Sequence, residues 1–293
     1  MDEVIYYAVI SLGTIGVSAA IILFFVARQF RVIEDPKIDE VEEVLPGANC
    51  GGCGFPGCRG FAEGVVNAAN TTQAIDGLSC PVGGNEVMGQ VTAILGLEAE
   101  AKEPQIAVVR CSGSLENSPK KFTYDGAQSC AFVNNLFSGE SGCPHGCLGC
   151  GDCVDACGFD AIAMDPATGL PRVEDSCVAC GACVDACPRN IIELRNRGKK
   201  ERRIFVSCVN KEKGGPAKKN CAVACIGCGK CAKVCKFEAI TVENNLAYID
   251  PAKCKLCRKC VDECPTGAIH ALNFPVRKPK KDNAASETAD KKE

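Results

Sequence analysis

The chain has 293 residues, enough for two or three small domains, and its 33 basic and 36 acidic side chains leave a net charge of −3. Near-neutral charge with only 5% aromatics excludes a nucleic-acid surface, which needs stacking platforms beside its lysines. Twenty-five cysteines without a single tryptophan exclude an ordinary aliphatic–aromatic core, and their crowding into C-x2-C runs excludes a spread disulfide framework.

In chain order, Ile5 to Ala27 runs 23 residues without a charge, which suffices for a helix across the hydrocarbon core. Asp2 and Glu3 precede it, and Arg28, Arg31 and Lys37 follow, the reverse of a secretory signal. By the positive-inside rule, residues 5–28 form a single-pass anchor in the cell (inner) membrane, with the bulk of the chain on the cytoplasmic side, where disulfides are disfavoured. A buried helix of a soluble domain is the alternative. Gly13, Gly16 and Ala20 offer a small-residue face to another membrane helix. Ile38 to Leu45 then reads as a short amphipathic helix, and 57–70 and 85–97 as two more. Strands are expected at 106–111 and 203–208. The tail from 276, rich in Lys, Asp, Ala and Ser, cannot bury a core and reads as disordered.

Four segments share the form C-x2-C-x2-C-x3-C: Cys147-Cys150-Cys153-Cys157, Cys177-Cys180-Cys183-Cys187, Cys225-Cys228-Cys231-Cys235 and Cys254-Cys257-Cys260-Cys264. In each, an isoleucine stands five residues after the last cysteine (Ile162, Ile192, Ile240, Ile269), and the motifs pair into two copies of one module. This is the bacterial ferredoxin pattern for [4Fe–4S] clusters, in which three cysteines wrap one cube and the fourth reaches the other. The expected ligand sets are therefore Cys147, Cys150, Cys153 with Cys187, and Cys177, Cys180, Cys183 with Cys157. In the second module they are Cys225, Cys228, Cys231 with Cys264, and Cys254, Cys257, Cys260 with Cys235. The fourth cysteine is expected to begin a helix pointing away, and the isoleucine to enter a strand shielding the clusters. Zinc ribbons space their pairs by a dozen or more residues and do not fit. Proline follows the motif at Pro188 and Pro265, while Gly158 and Lys236 replace it elsewhere.

Cys50, Cys53, Cys58 and Cys80 form a further set, read as another [4Fe–4S] cluster with zinc as the alternative. The overlapping Gly52-x-Gly54-x-x-Gly57 matches a dinucleotide fingerprint only formally, because no strand precedes it. Five cysteines remain. Cys111 and Cys208 each end a strand before a module, and Cys143 and Cys221 each stand four positions before a first ligand. These four are either ordinary buried thiols or one extra metal centre, so the count is at least five clusters, or six. Cys130 has no counterpart. His145 and His270 read as incidental, and no residue reads as catalytic.

A membrane helix, then Cys50-Gly-Gly-Cys53-Gly-Phe-Pro-Gly-Cys58 with Cys80-Pro81, then ferredoxin modules, resembles the B subunit of the Rnf complex in its long, two-module form, from the anchor to about Asn273. The resemblance implies an iron–sulfur electron-transfer subunit of an ion-translocating ferredoxin:NAD oxidoreductase, with soluble ferredoxin as donor and flavin and NAD sites on other subunits. A polyferredoxin serving a membrane hydrogenase and a non-redox scaffold stapled by metals are the alternatives. The expected architecture is α+β: a transmembrane helix (5–28), a small helical four-cysteine domain (29–100), a linker with a strand (101–142), ferredoxin modules at 143–200 and 201–275, and the tail (276–293). Residues 143–190 carry seven acids and two bases, a net −5, whereas 208–266 carry six acids and eleven bases, a net +5. The second module is then the dock for an acidic ferredoxin, unless its lysines serve solubility alone.

Overall fold

The computed structural model describes residues 2–29, 35–98 and 103–275. Arg31 and the tail 276–293 lie outside the described residues. Helix α1 (Asp2–Gln29) contains Val9–Gln29, a stretch of mean hydropathy 2.5 with no side chain buried against the rest of the chain. Its hydroxyls turn inward onto the helix: Ser18 donates to the Thr14 carbonyl at 2.8 Å and Thr14 to the Ser11 carbonyl at 2.9 Å. Polar groups satisfied in this way are compatible with lipid.

Helices α2 (Pro36–Val44), α3 (Cys58–Thr72) and α4 (Gly84–Leu95) form one small unit. Asp35 caps α2 by accepting the Lys37 N–H at 3.0 Å, with proline in the first turn where its missing N–H costs nothing. Phe61, Ala62, Val65 and Val66 share one face of α3 and pack with Val41 and Val91, all fully buried.

The rest is two copies of one fold. In the first, β1 (Gln105–Val109) is followed by α5 (Cys130–Leu136), α6 (Asp152–Asp155), the hairpin β2 (Ile162–Asp165) and β3 (Leu170–Val173), α7 (Ala182–Asp185) and β4 (Ile192–Asn196). In the second, β5 (Arg203–Val206) leads to α8 (Gly214–Asn220), α9 (Lys230–Lys233), β6 (Ile240–Glu243), β7 (Leu246–Ile249), α10 (Lys259–Asp262) and β8 (Ile269–Leu272). β1 pairs with β4 and β5 with β8, all antiparallel, so each module is closed by its first and last strands. Asn244 and Asn245 make the tight β6–β7 turn, both with positive φ, the conformation that a two-residue hairpin demands. The repeated isoleucines open β2, β4, β6 and β8 and are all buried.

Two sequence expectations change. The strand assigned to a linker at 101–142 belongs to the first module, because β1 supplies the partner that β4 would otherwise lack as an open edge. The fourth cysteine of each motif does not begin a helix. The single helical turns carry the third cysteine, and the fourth closes them: Cys157 donates its N–H to Val154 at 3.0 Å, Cys187 to Val184 at 3.2 Å, Cys235 to Ala232 at 3.1 Å and Cys264 to Val261 at 3.3 Å. Gly151, Gly181 and Gly229, with φ of 95°, 88° and 73°, turn the chain into each helix one residue after the second cysteine. Arg258, with φ of 65°, takes the same left-handed place before α10 in the fourth motif.

Candidate metal centres

None of the twenty-five cysteines, all among the described residues, is joined in a disulfide. Cys50, Cys53, Cys58 and Cys80 surround one cavity, closed by Leu45, Phe61 and Val82. Asn49, in the left-handed region, takes the Cys58 N–H on its side-chain oxygen at 2.8 Å, and the Gly83 N–H points at the Cys80 sulfur at 3.3 Å. Burial pushes the Cys80 thiol up, opposed by that N–H. Gly52 has no space for a side chain: a Cβ would lie 2.5 Å from the Cys180 carbonyl oxygen. The four-cysteine loop thus rests directly on the second motif of the first module.

In that module Cys157, Cys177, Cys180 and Cys183 line one cavity. Burial and then the neighbouring sulfurs of Cys177 and Cys180, with Cys153 and Cys157 beyond, push Cys183 up to about 12. Cys147, Cys153 and Cys187 line another. The second module repeats the grouping. Burial with Cys225, Cys228 and Cys264 raises Cys231 to about 11, and burial with Cys254, Cys257 and Cys231 raises Cys260 to about 12. Cys254 is raised by burial and by Cys257 and Cys235. Among the described residues no three such donors close on a point that one ion would fill. The thiols stand around a space instead, raising one another, and a polynuclear cation with several irons complements that geometry and charge.

The structure also gathers residues that spacing did not connect. Cys130 opens α5 and lines the same cavity as Cys147 and Cys153, and after burial it is the main influence that raises Cys150 to about 12. Its position depends on Asp152, whose carboxylate accepts the Cys130 and Ala131 N–H groups at 2.7 and 2.9 Å. Because Asp152 sits between two motif cysteines, its capping role could not be read in one dimension. Cys111, Cys143, Cys208 and Cys221 line a fourth cavity, together with His145. His270 lies behind the cavity wall, with its Nε2 3.0 Å from the hydroxyl of Ser112, which lines the same cavity.

The modules are tied by arginines. Arg195 on β4 is buried and donates to the Ile204 and Ile249 carbonyls of the second module at 3.3 and 2.9 Å and to Glu193. Its guanidinium stacks over Phe205 and Tyr248. Arg110 pairs with Glu193 at 3.1 Å and stacks over the same Tyr248.

Twinned strand-closed modules with cysteine-lined cavities define a ferredoxin-type iron–sulfur electron-transfer protein. The family described as a 4Fe-4S dicluster domain matches residues 144–194, 176–238 and 224–268 in three variants, and one described as a putative Fe-S cluster matches 45–71. The chain is 43% identical over 259 residues to the B subunit of the Na(+)-translocating ferredoxin:NAD(+) oxidoreductase complex of Acetobacterium woodii, covering 88% of this chain and 75% of that one. It is 39% identical over 269 residues to the B subunit of the ion-translocating oxidoreductase complex of Methanosarcina acetivorans, covering 92% and 99%. It is 40% identical over 275 residues to the B subunit of the proton-translocating ferredoxin:NAD(+) oxidoreductase complex of Clostridium ljungdahlii, covering 93% and 94%. The chain belongs to the B-subunit family of the Rnf complex, and it is an iron–sulfur electron-transfer subunit of that ion-translocating ferredoxin:NAD oxidoreductase. With its long apolar N-terminal helix, it is a membrane protein that works with the other subunits of the complex.

Proposed function

We propose that the twenty motif cysteines hold five [4Fe–4S] clusters that form a relay from the second module, through the first, to the four-cysteine unit beside the membrane. When bound, such clusters take up and release single electrons. The contact of Gly52 with Cys180 carries this reading, since it brings the four-cysteine loop against a motif of the first module. At the other end Cys228 and Cys257 are exposed, with Lys230, Lys233, Lys236, Lys253, Lys255 and Lys259 exposed on the same module. An acidic soluble ferredoxin meeting this face gains on-rate, while the first module, with its net −5, repels it. Flavin and NAD sites belong to other subunits. α1 crosses the membrane once, with the modules in the cytoplasm. Relatives of similar identity are named for sodium and for proton translocation, so this subunit's likeness to them does not select the ion.

Stopped-flow oxidation of reduced ferredoxin tests the entry route. Charge reversal of Lys230, Lys233 and Lys255 should slow it by about 10-fold or more at low salt and flatten its salt dependence, since exposed charges are screened within about 10 Å at 0.1 M. An unchanged rate and salt slope would refute entry at the second module. A cysteine-reactive, membrane-impermeant label tests the topology: reaction from outside the cell at a site placed just after Lys37 would reverse it.

A further inference from the structure

We infer that Cys111, Cys143, Cys208 and Cys221 bind a sixth [4Fe–4S] cluster that joins the two modules. The inference deepens the relay proposed above and rests on it. The four residues span more than a hundred positions, yet their side chains line one cavity. Motif cysteines of the four-cysteine unit and first module line three cavities of comparable size.

The site is symmetric in origin. Each module contributes the cysteine that follows its first strand, Cys111 or Cys208, and the cysteine four positions before its first motif, Cys143 or Cys221. A methyl group placed on Gly113 would lie 3.5 Å from the Cys111 sulfur and 3.8 Å from that of Cys221, so sulfurs from different modules face the same glycine at ordinary contact distance.

The surroundings suit thiolates rather than an apolar core. Asn210, only 1% exposed, aims its amide Nδ2 at the Cys143 sulfur at 3.5 Å and is itself fixed by Glu212. An amide donor to sulfur is one of the levers that stabilise a cluster's negative charge.

Position gives the site its role. The Cys147 N–H faces the Cys111 sulfur, and the Cys225 N–H faces that of Cys208. Cys147 and Cys225 are the first motif cysteines of the two modules, so the cavity lies one hydrogen bond from each. Without a centre here the two modules would be joined only by protein; with one, the relay is continuous. Zinc fits less well, since a structural zinc site gathers all four sulfurs at about 2.3 Å around a single ion, and among the described residues no three donors do so.

Iron, zinc and acid-labile sulfide, measured on the full chain after anaerobic reconstitution, test the inference together with Cys143→Ala and Cys208→Ala. Six cubes predict about 24 irons, and each variant should lose the same four while keeping about 20. A wild-type count of about 20 that the variants leave unchanged overturns the sixth site and leaves the five-cluster relay standing. A wild-type count well below 20 overturns the relay itself. About 20 irons with one zinc that both variants lose overturns the cluster. The wild-type count decides even where a variant does not fold.

Discussion

Replacing Arg195 with methionine keeps the length and apolar stem of the side chain and removes its charge and donors. In the native chain the guanidinium is 3% exposed and serves the Ile204 and Ile249 carbonyls, both in the second module. A hydrogen bond from a charged donor contributes about 1.5–3 kcal/mol, and each stacking contact, at 5.3 Å over Tyr248 and 5.7 Å over Phe205, adds about 0.5–1 kcal/mol. Relief of the arginine's desolvation offsets part of this. Glu193 is not stranded, because Arg110 stays 3.1 Å away. The net cost is then roughly 3 kcal/mol, the balance of lost hydrogen bonds against regained hydration. Since every 1.4 kcal/mol is tenfold, separation of the modules should become about 100-fold easier. Anaerobic bleaching of the cluster absorbance at a fixed urea concentration measures this, with Arg195→Lys as an intermediate control that keeps the charge but loses the fork. A change below about threefold, under about 0.7 kcal/mol, would show that Arg195 does not hold the modules together.

The other predictions concern single contacts. Gly52→Ala forces backbone away from backbone at Cys180, where the added carbon would sit 2.5 Å from oxygen and 2.9 Å from Cα, at about 1–3 kcal/mol; iron content should hold while freeze-quench EPR shows slower reduction of the four-cysteine unit, and an unchanged rate would remove the contact from the relay. Asp152→Ala strips the cap from α5, whose Ser129 hydroxyl, Cys130 N–H and Ala131 N–H all point to it; a loss of about 1–2 kcal/mol should appear as faster hydrogen exchange confined to 130–136, and unaltered exchange there would refute the cap. Burial lowers the pKa of His270, so the folded state binds its proton less readily than the unfolded chain. That part of stability is present above the ordinary histidine pKa of about 6.5 and is lost as pH falls below it. Acidification should therefore speed urea-induced bleaching more in the wild type than in His270→Gln, and equal acceleration would contradict it.

The metal chemistry was legible in one dimension because a cube needs three sulfurs from one tight loop, and loops of that kind are local: C-x2-C-x2-C occurs four times and each occurrence is its own evidence. The apolar N-terminal helix was legible because length and apolarity are properties of a contiguous segment. The buried isoleucines that open four strands were visible as a repeat. Other features depend on residues far apart in the chain. No pattern announces that β1 closes a module through β4, since pairing of 105 with 196 is set by which edge remains open after the hairpin forms. Cys130 reached the first module's cavity only through a carboxylate twenty-two positions away. The symmetry of Cys111, Cys143, Cys208 and Cys221 could be seen in the sequence. Their convergence could not, because it depends on the angle at which two independently folded modules meet, and buried Arg195 holds that angle through carbonyls of the other module.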